Sequence, residues 1–241
     1  MWLYGRNVAR EILKNGKRRV YELKVAEGTK DVTDLLNLAS STRIPVRFVD
    51  RREIEKESGG AVHQGVAINY EGPKSFTMEE FLEKYRANER VTVAVLDEIE
   101  DPRNLGAIIR SCEIFGVCGI ILTSKRSAPL NDAAFKASSG AIAHVDIVKV
   151  TNLNNALKEL KEAGFWVYGF SLQAEKYLDE TVLDKRSAIV LGSEGEGMRR
   201  LVSENCDFLL KIRQSGKLDS LNVSIAAAVA FYHAMLSGIK K

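Results

Sequence analysis

Cysteine and histidine are both scarce in this chain, with three of each among 241 residues. Cys112, Cys118 and Cys206 are odd in number and show no Cys-x-x-Cys spacing, so reduced, buried thiols are expected rather than disulfides or a zinc site. His63, His144 and His233 are equally scattered, which disfavours a metal cluster, and no metal ligands are assigned. No apolar run approaches the ~20 residues that a bilayer-spanning helix needs. The opening residues, Met1-Trp2-Leu3-Tyr4-Gly5-Arg6, lack the apolar core of a signal peptide. A cytoplasmic protein with no membrane partner is expected. There is no solenoid repeat and no low-complexity tract.

Hydrophobic residues make up 45% and charged residues 28%, the balance of an ordinary globule, and the length allows one large domain or two modest ones. The net charge of +3 is unevenly placed. Residues 1–72 hold 13 Lys/Arg against 10 Asp/Glu, while residues 73–241 hold 22 of each. Within the first third, Arg6, Arg10, Lys14, Lys17, Arg18 and Arg19 face one acid in the local sequence, Glu11. Such a cluster suits a phosphate backbone. A solvated helix face followed by a basic turn accounts for the charge equally well.

Periodicity divides the chain into two α/β units. In residues 1–72, helices are expected over Asn7–Asn15, Asp31–Ser40 and Arg51–Glu57, with extended segments at Val20–Ala26, Pro45–Val49 and Val62–Ile68. Residues 73–88 read as a linker and a short helix, Met78–Tyr85; Glu71-Gly72-Pro73-Lys74-Ser75 has turn composition. In residues 89–241, apolar strands at Val91–Leu96, Gly119–Leu122, Val145–Val150, Phe165–Phe170, Ala188–Leu191 and Phe208–Ile212 alternate with helical segments. That pattern predicts a mostly parallel sheet covered on both faces. The last helix, Leu221–Leu236, is rich in small residues and is expected to pack deeply.

Three segments stand where a strand hands over to a helix, the place at which an α/β sheet gathers ligand-binding groups. The first runs from Asp101 to Arg110. Asp101-Pro102 suits an N-cap with proline at the first helical position, Leu105, Ile108, Ile109 and Cys112 form the buried stripe, and Arg103 and Arg110 share a face roughly opposite it. The second is Leu191-Gly192-Ser193-Glu194-Gly195-Glu196-Gly197-Met198, with a helix expected from about Met198. Its glycines permit close backbone approach, but Glu194 and Glu196 would repel a diphosphate, and no phosphate-loop spacing is present. A ligand without phosphate, or one carrying positive charge, fits better; S-adenosylmethionine (SAM) meets both conditions. The third is Ser220-Leu221-Asn222-Val223-Ser224, where Ser220 or Asn222 reads locally as a helix cap.

In this order the three segments resemble the motifs of the SpoU branch of the SPOUT RNA methyltransferases. Lys136-Ala137-Ser138-Ser139-Gly140-Ala141 with His144-Val145 is similar to the same family. Tyr4-Gly5-Arg6-Asn7 and His63-Gln64-Gly65-Val66 resemble the substrate-binding domain of its 23S ribosomal RNA guanosine-2′-O-methyltransferase subgroup. The resemblance implies an α/β SPOUT domain whose C-terminal segment forms a deep trefoil knot, preceded by a small ribosomal-protein-like RNA-binding domain, in a homodimer. It implies SAM bound at Ser171, Leu172, Gly192, Ile212, Gln214 and Leu221. The catalytic group it implies is Arg110 with Asn104, Glu194, Ser220 and Asn222, and 23S rRNA is the favoured substrate. Arg6, Arg10, Lys17, Arg18, Arg19 and Arg103 are the candidate RNA contacts. A guanidinium seldom deprotonates in a protein, so Arg110 is expected to clamp an RNA phosphate, with Glu194 holding its guanidinium in place. The chain departs from the family at Ile212-Arg213-Gln214, where Ile-Pro-Met is common, and at His233, where glutamate is usual. Arg213 is thus expected to bring a charge close to a looser cofactor loop. Alternatives are a tRNA 2′-O-methyltransferase and a catalytically silent RNA-binding protein of the same fold. A nicotinamide-dependent oxidoreductase is opposed by the acidic Gly192–Gly197 loop.

Overall fold

Residues 1–16, 19–216 and 220–239 are described by a computed structural model. The first unit contains β1 (Trp2–Tyr4), α1 (Arg6–Asn15), β2 (Val20–Ala26), α2 (Thr33–Ser41), β3 (Val46–Val49), α3 (Arg51–Ser58) and β4 (Val66–Tyr70). Its four-stranded sheet has the order β1-β4-β2-β3, with β4 antiparallel to both neighbours and β2 parallel to β3. α1 buries Val8, Ala9, Ile12 and Leu13, and Gly16 stops it in the left-handed region at φ 61°. β1 was not visible in the sequence because three residues carry no readable alternation.

The last strand of this unit begins at Val66, not Val62. His63-Gln64-Gly65 instead forms a turn with φ 52° at Gln64 and 75° at Gly65, and a Cβ on Gly65 would lie 2.3 Å from Thr29 Oγ1. The turn has a purpose. Gln64 Oε1 accepts from Arg6 N at 3.1 Å and Val66 O accepts from Gly5 N at 3.0 Å, so the two N-terminal motifs meet and satisfy the start of α1.

The second unit contains β5 (Ser75–Phe76), α4 (Met78–Lys84), β6 (Val91–Leu96), α5 (Pro102–Ile114), β7 (Gly119–Thr123), α6 (Asp132–Ala137) and β8 (Asp146–Val150). It continues with α7 (Leu153–Glu162), β9 (Trp166–Phe170), β10 (Lys176–Tyr177), β11 (Arg186–Leu191), α8 (Arg200–Glu204), β12 (Phe208–Lys211) and α9 (Val223–Ile239). The eight-stranded sheet has the order β10-β12-β9-β11-β6-β7-β8-β5, and each of its pairings is parallel. β6 is buried along its whole length, as a parallel strand covered on both faces should be. The supposed linker is partly structural, since Ser75 and Phe76 pair with Ile147 and Val148 of β8.

The two units share one core. A single cluster of buried residues runs from Leu3, Ile12 and Ile68 to Leu105, Phe135 and Ile142. Tyr70 meets Phe135 edge-on at 6.1 Å, Tyr4 N donates to Asp132 Oδ1 at 3.1 Å, and Asn15 Nδ2 donates to Ala143 O at 2.9 Å. α9 packs deeply on one face only. Val223, Ala227, Ala230, Phe231 and Ala234 are buried, while Ile225, Val229 and Tyr232 are 53%, 37% and 47% exposed.

Candidate active site

In a parallel sheet, ligand sites form beyond the carboxyl ends of the strands, where the chain departs in opposite directions from neighbouring strands. Here β6 leads outward to β7 and β8, while β11, β9 and β12 lie on its other side. The segments following β9, β11 and β12, together with the start of α9, enclose a cavity of about 590 Å³. All six sequence-predicted cofactor positions, Ser171, Leu172, Gly192, Ile212, Gln214 and Leu221, line it, as do Glu194, Ser220 and Asn222.

The loop after β11 is closed on itself. Ser193 and Gly197 exchange backbone hydrogen bonds of 3.0 and 3.1 Å, and Gly195 and Gly197 have φ of 89° and 72°. A Cβ on Gly192 would sit 2.0 Å from Gly197 C, so only glycine allows the loop to fold back this tightly. The loop leads into α8 at Arg200, two residues later than the helix expected at Met198. The delay has a visible cause: Arg199 turns to the buried Asp97 at the end of β6. Asp97 Oδ2 accepts from Arg199 N and Oδ1 from its Nε, both at 2.8 Å. Asp97 N in turn donates to Leu191 O at 2.8 Å. This pair locks the loop to the central strands, and sequence reasoning missed it. The available signal was a carboxylate directly after an entirely apolar strand.

Asn104, Glu194 and Asn222 come from the three separate motifs and meet in one network. Glu194 Oε1 accepts from Asn104 Nδ2 at 3.1 Å and also from Asn222 Nδ2, and Asn222 Nδ2 donates to Asn104 Oδ1 at 3.1 Å. Asn222 also caps α9, its Oδ1 accepting from Ser224 N at 2.9 Å. The cap and the site contact are therefore the two ends of one amide.

Arg110 is held differently from expectation. Its Nη1 donates to Ser139 Oγ at 3.1 Å, while Glu194 serves the two asparagines; Glu194 does not anchor the guanidinium. Among the described residues no carboxylate pairs with Arg110, which leaves its charge uncompensated on the exposed face of α5. Arg103 shares that face but is paired: Asp101 accepts from its backbone N at 2.8 Å and lies 3.2 Å from its Nη2. Those contacts, the backbone one first, hold the Asp101 carboxyl below its usual range. Neither arginine lines the cavity.

The N-terminal basic cluster is less free than the sequence implies. Arg10 Nε meets Asp34 Oδ2 at 2.5 Å, Arg6 Nη1 is 3.6 Å from Asp31 Oδ2, and Arg19 lies over the Tyr21 ring at 5.2 Å. Lys17 and Arg18 lie outside the described residues. Arg213 also corrects an expectation. It points out of the cavity, 2.6 Å from Glu180 Oε1, 3.2 Å from Asp179 Oδ2 and 3.9 Å above the Tyr177 ring. It thereby tethers the loop whose flanking residues, Ile212 and Gln214, form the cavity wall.

A parallel α/β sheet with a glycine-walled, acidic crevice at its carboxyl edge defines the class, an α/β protein with a ligand site at its strand ends whose carboxylates disfavour a diphosphate. Comparison with known proteins makes the class particular. The model of the SpoU rRNA methylase family matches residues 91–232, and that of the RNA 2′-O ribose methyltransferase substrate-binding domain matches residues 2–76. YacO of Bacillus subtilis, a protein named for the TrmH family of tRNA/rRNA methyltransferases, is 37% identical over 237 residues, covering 96% of this chain and 93% of that one. The fold is similar to that of the SpoU methyltransferase AviRb from Streptomyces viridochromogenes, solved with AdoMet, at a TM-score of 0.84 and 18% identity, over 100% of this chain and 91% of that one. It is similar too to an AdoMet-bound rRNA methyltransferase from Sinorhizobium meliloti, at a TM-score of 0.79 and 23% identity, over 97% and 85% of the two chains. The chain belongs to the SpoU rRNA methylase family.

Proposed function

We propose that this protein is a SAM-dependent RNA ribose-2′-O-methyltransferase, acting in the cytoplasm on a guanosine of 23S rRNA. The observation that carries the reading is the Asn104–Glu194–Asn222 network, which joins all three motifs at the wall of one cavity, with Arg110 on the helix of Asn104 and without a carboxylate partner among the described residues.

The cavity's chemistry fits SAM. Its wall carries two carboxylates, Glu194 and Glu196, hydroxyls at Ser171 and Ser220, and apolar side chains at Leu172, Ile212 and Leu221. Lys211 is the one cation lining it among the described residues, and its Nζ lies 4.7 Å from the centre of the Tyr177 ring. Such a surface favours a cationic nucleoside and disfavours a diphosphate. Ser171, Leu172, Gly192, Ile212, Gln214 and Leu221 would hold it, and when bound it supplies an electrophilic methyl group. The remaining task is to position a ribose and remove the proton of its 2′-hydroxyl. Arg110 clamps an RNA phosphate with donors left free by Ser139, and its charge steadies the developing 2′-oxyanion. The proton passes to that phosphate or to water. Asn104, Ser220 and Asn222 orient the sugar, with Glu194 fixing the two amides. Arg103, Arg6, Arg10, Arg19, Lys17 and Arg18 contribute RNA contacts.

The same reading makes residues 1–72 the RNA-binding domain and residues 89–241 the methyltransferase domain, joined by 73–88. It also includes a trefoil knot and a homodimer. Two features are consistent with these. α9 packs against both α5 and the segment preceding β11, where His233 Nε2 lies 2.6 Å from Thr181 O, and its outer face is apolar. The test is incubation with methyl-labelled SAM and separated RNA species, followed by mapping of the modified nucleotide. Label at one 23S rRNA guanosine 2′-oxygen is expected; label on tRNA would move the substrate, and label on a base or on nothing would overturn the reading.

A further inference from the structure

The segment that holds Arg110 belongs to none of the three motifs, and its geometry is unusual. Ser139 sits at φ 52°, a left-handed conformation that side-chain-bearing residues seldom adopt. It is fixed there from both sides. On one, Gly106 of α5 approaches the end of α6 so closely that a Cβ would lie 2.4 Å from Ala134 O. On the other, a Cβ on Gly140 would lie 2.5 Å from Glu11 Cβ of α1. Ser138 beneath is buried and donates its hydroxyl to Phe135 O at 2.9 Å, and the turn continues to Ala143, whose carbonyl accepts from Asn15 of α1. A turn wedged between α5 and α1 therefore aims one hydroxyl at the guanidinium.

We infer that Ser139 is a positioning residue for Arg110, acting through its hydroxyl to set the guanidinium's direction; this rests on the phosphate-clamp reading above. Arg110 is long, exposed and without a carboxylate partner among the described residues, so this hydrogen bond is what the structure offers to restrict its rotamers. A flexible cation loses conformational entropy when it grips a phosphate, and an arginine already oriented loses less. The wedge also ties the clamp to the first unit: α1 presses on the residue next to Ser139, so a seated RNA-binding unit and an aimed Arg110 go together.

The left-handed backbone supplies the test. Ser139→Gly keeps, and indeed favours, φ 52° while removing the short hydroxymethyl side chain and with it the hydroxyl. Ser139→Asn tolerates the same backbone and restores an acceptor oxygen. Single-turnover methylation at saturating RNA and SAM is measured for both, for Arg110→Ala and for Ser139→Gly with Arg110→Ala combined. SAM affinity by calorimetry and the unfolding temperature are measured alongside. Ser139→Gly is expected to slow methylation by about tenfold, the scale of one lost hydrogen bond to a charged group. SAM affinity and unfolding temperature stay at wild-type values, Ser139→Asn recovers most of the rate, and the change has no further effect once Arg110 is absent. A slow Arg110→Ala beside a normal Ser139→Gly overturns the positioning role and leaves the clamp standing. A normal Arg110→Ala overturns the clamp itself. Equal losses in the glycine and asparagine variants that persist without Arg110 would make Ser139 structural.

Discussion

At the scale of single residues, Asn222 shows how one side chain can satisfy both readings of a motif. Its carbonyl oxygen caps α9 and its amide nitrogen bonds Glu194 and Asn104. Serine at this position keeps an oxygen for the cap but has no amide to donate. Ser and Asn cap about equally well, whereas loss of a cap to alanine costs ~1 kcal/mol. Asn222→Ser should therefore unfold near the wild-type temperature, and Asn222→Ala somewhat below it. Both should lose methylation to a similar degree, on the order of tenfold or more. Methylation retained by Asn222→Ser would reduce the residue to a cap. His63 carries a different prediction. Burial foremost, with Arg51 adding to it, pushes its pKa below the usual histidine range, and its Nδ1 accepts from Gly65 N at 3.1 Å, so the neutral ring is the one the turn needs. Protonation favours the unfolded chain. The stabilisation is complete above the unfolded pKa of about 6.5 and is lost as pH falls through the lower folded value. Urea unfolding between pH 7 and pH 5 should show stability falling, with a shallower slope in His63→Gln.

At the scale of elements, legibility followed length and burial. Val20–Ala26 and Val91–Leu96 have the bounds that periodicity assigned, the first from its alternation and the second from its unbroken apolar run. β5 and β10, with two residues each, contain no period to read, and their pairing depends on neighbours distant in sequence. The site shows the same division. Its motifs stood out as glycines, amides and carboxylates at strand ends, and every predicted cofactor position reached the cavity. Their partners did not stand out. Nothing local ties Asp97 to Arg199, Arg110 to Ser139 or Arg213 to Asp179, because each pairing exists only after the sheet has ordered the strands. The Arg213 case changes an expectation about an element into a prediction. An exposed arginine stacked on Tyr177 between Asp179 and Glu180 stiffens the segment after β12 from outside. Exposed pairs are individually weak, so Arg213→Ala should weaken SAM binding by about severalfold without abolishing it. Raising the salt concentration should reduce the wild-type affinity towards that of the variant. Tighter binding in Arg213→Ala would mean that the charge, not the tether, dominates.

At the scale of the whole molecule, one apolar core runs through both units, yet one face of the last helix remains uncovered. Ile225, Val229 and Tyr232 follow one another at i, i+4 and i+7 and so form a single stripe along α9, with Tyr232 leaning on Phe115, the residue that ends α5, at a ring distance of 5.7 Å. The start of the same helix supplies Asn222 and Val223 to the cavity, so whatever covers the stripe lies close to the cofactor loops. Burying three large side chains of this kind is worth several kcal/mol, at ~25 cal/mol for each Å² of apolar surface, which is ample reason for two copies to associate through α9. A carboxylate in the middle of the stripe would have to be buried unpaired in such an interface, at a cost exceeding what the contact returns. Sedimentation of the wild-type protein should therefore report twice the mass of one chain, and Val229→Glu should report a single chain with its secondary structure intact. If RNA methylation falls together with the dimer while SAM still binds, the second copy completes the RNA-binding surface. If Val229→Glu sediments as a dimer, the stripe is not the contact, and the association must be sought on another face.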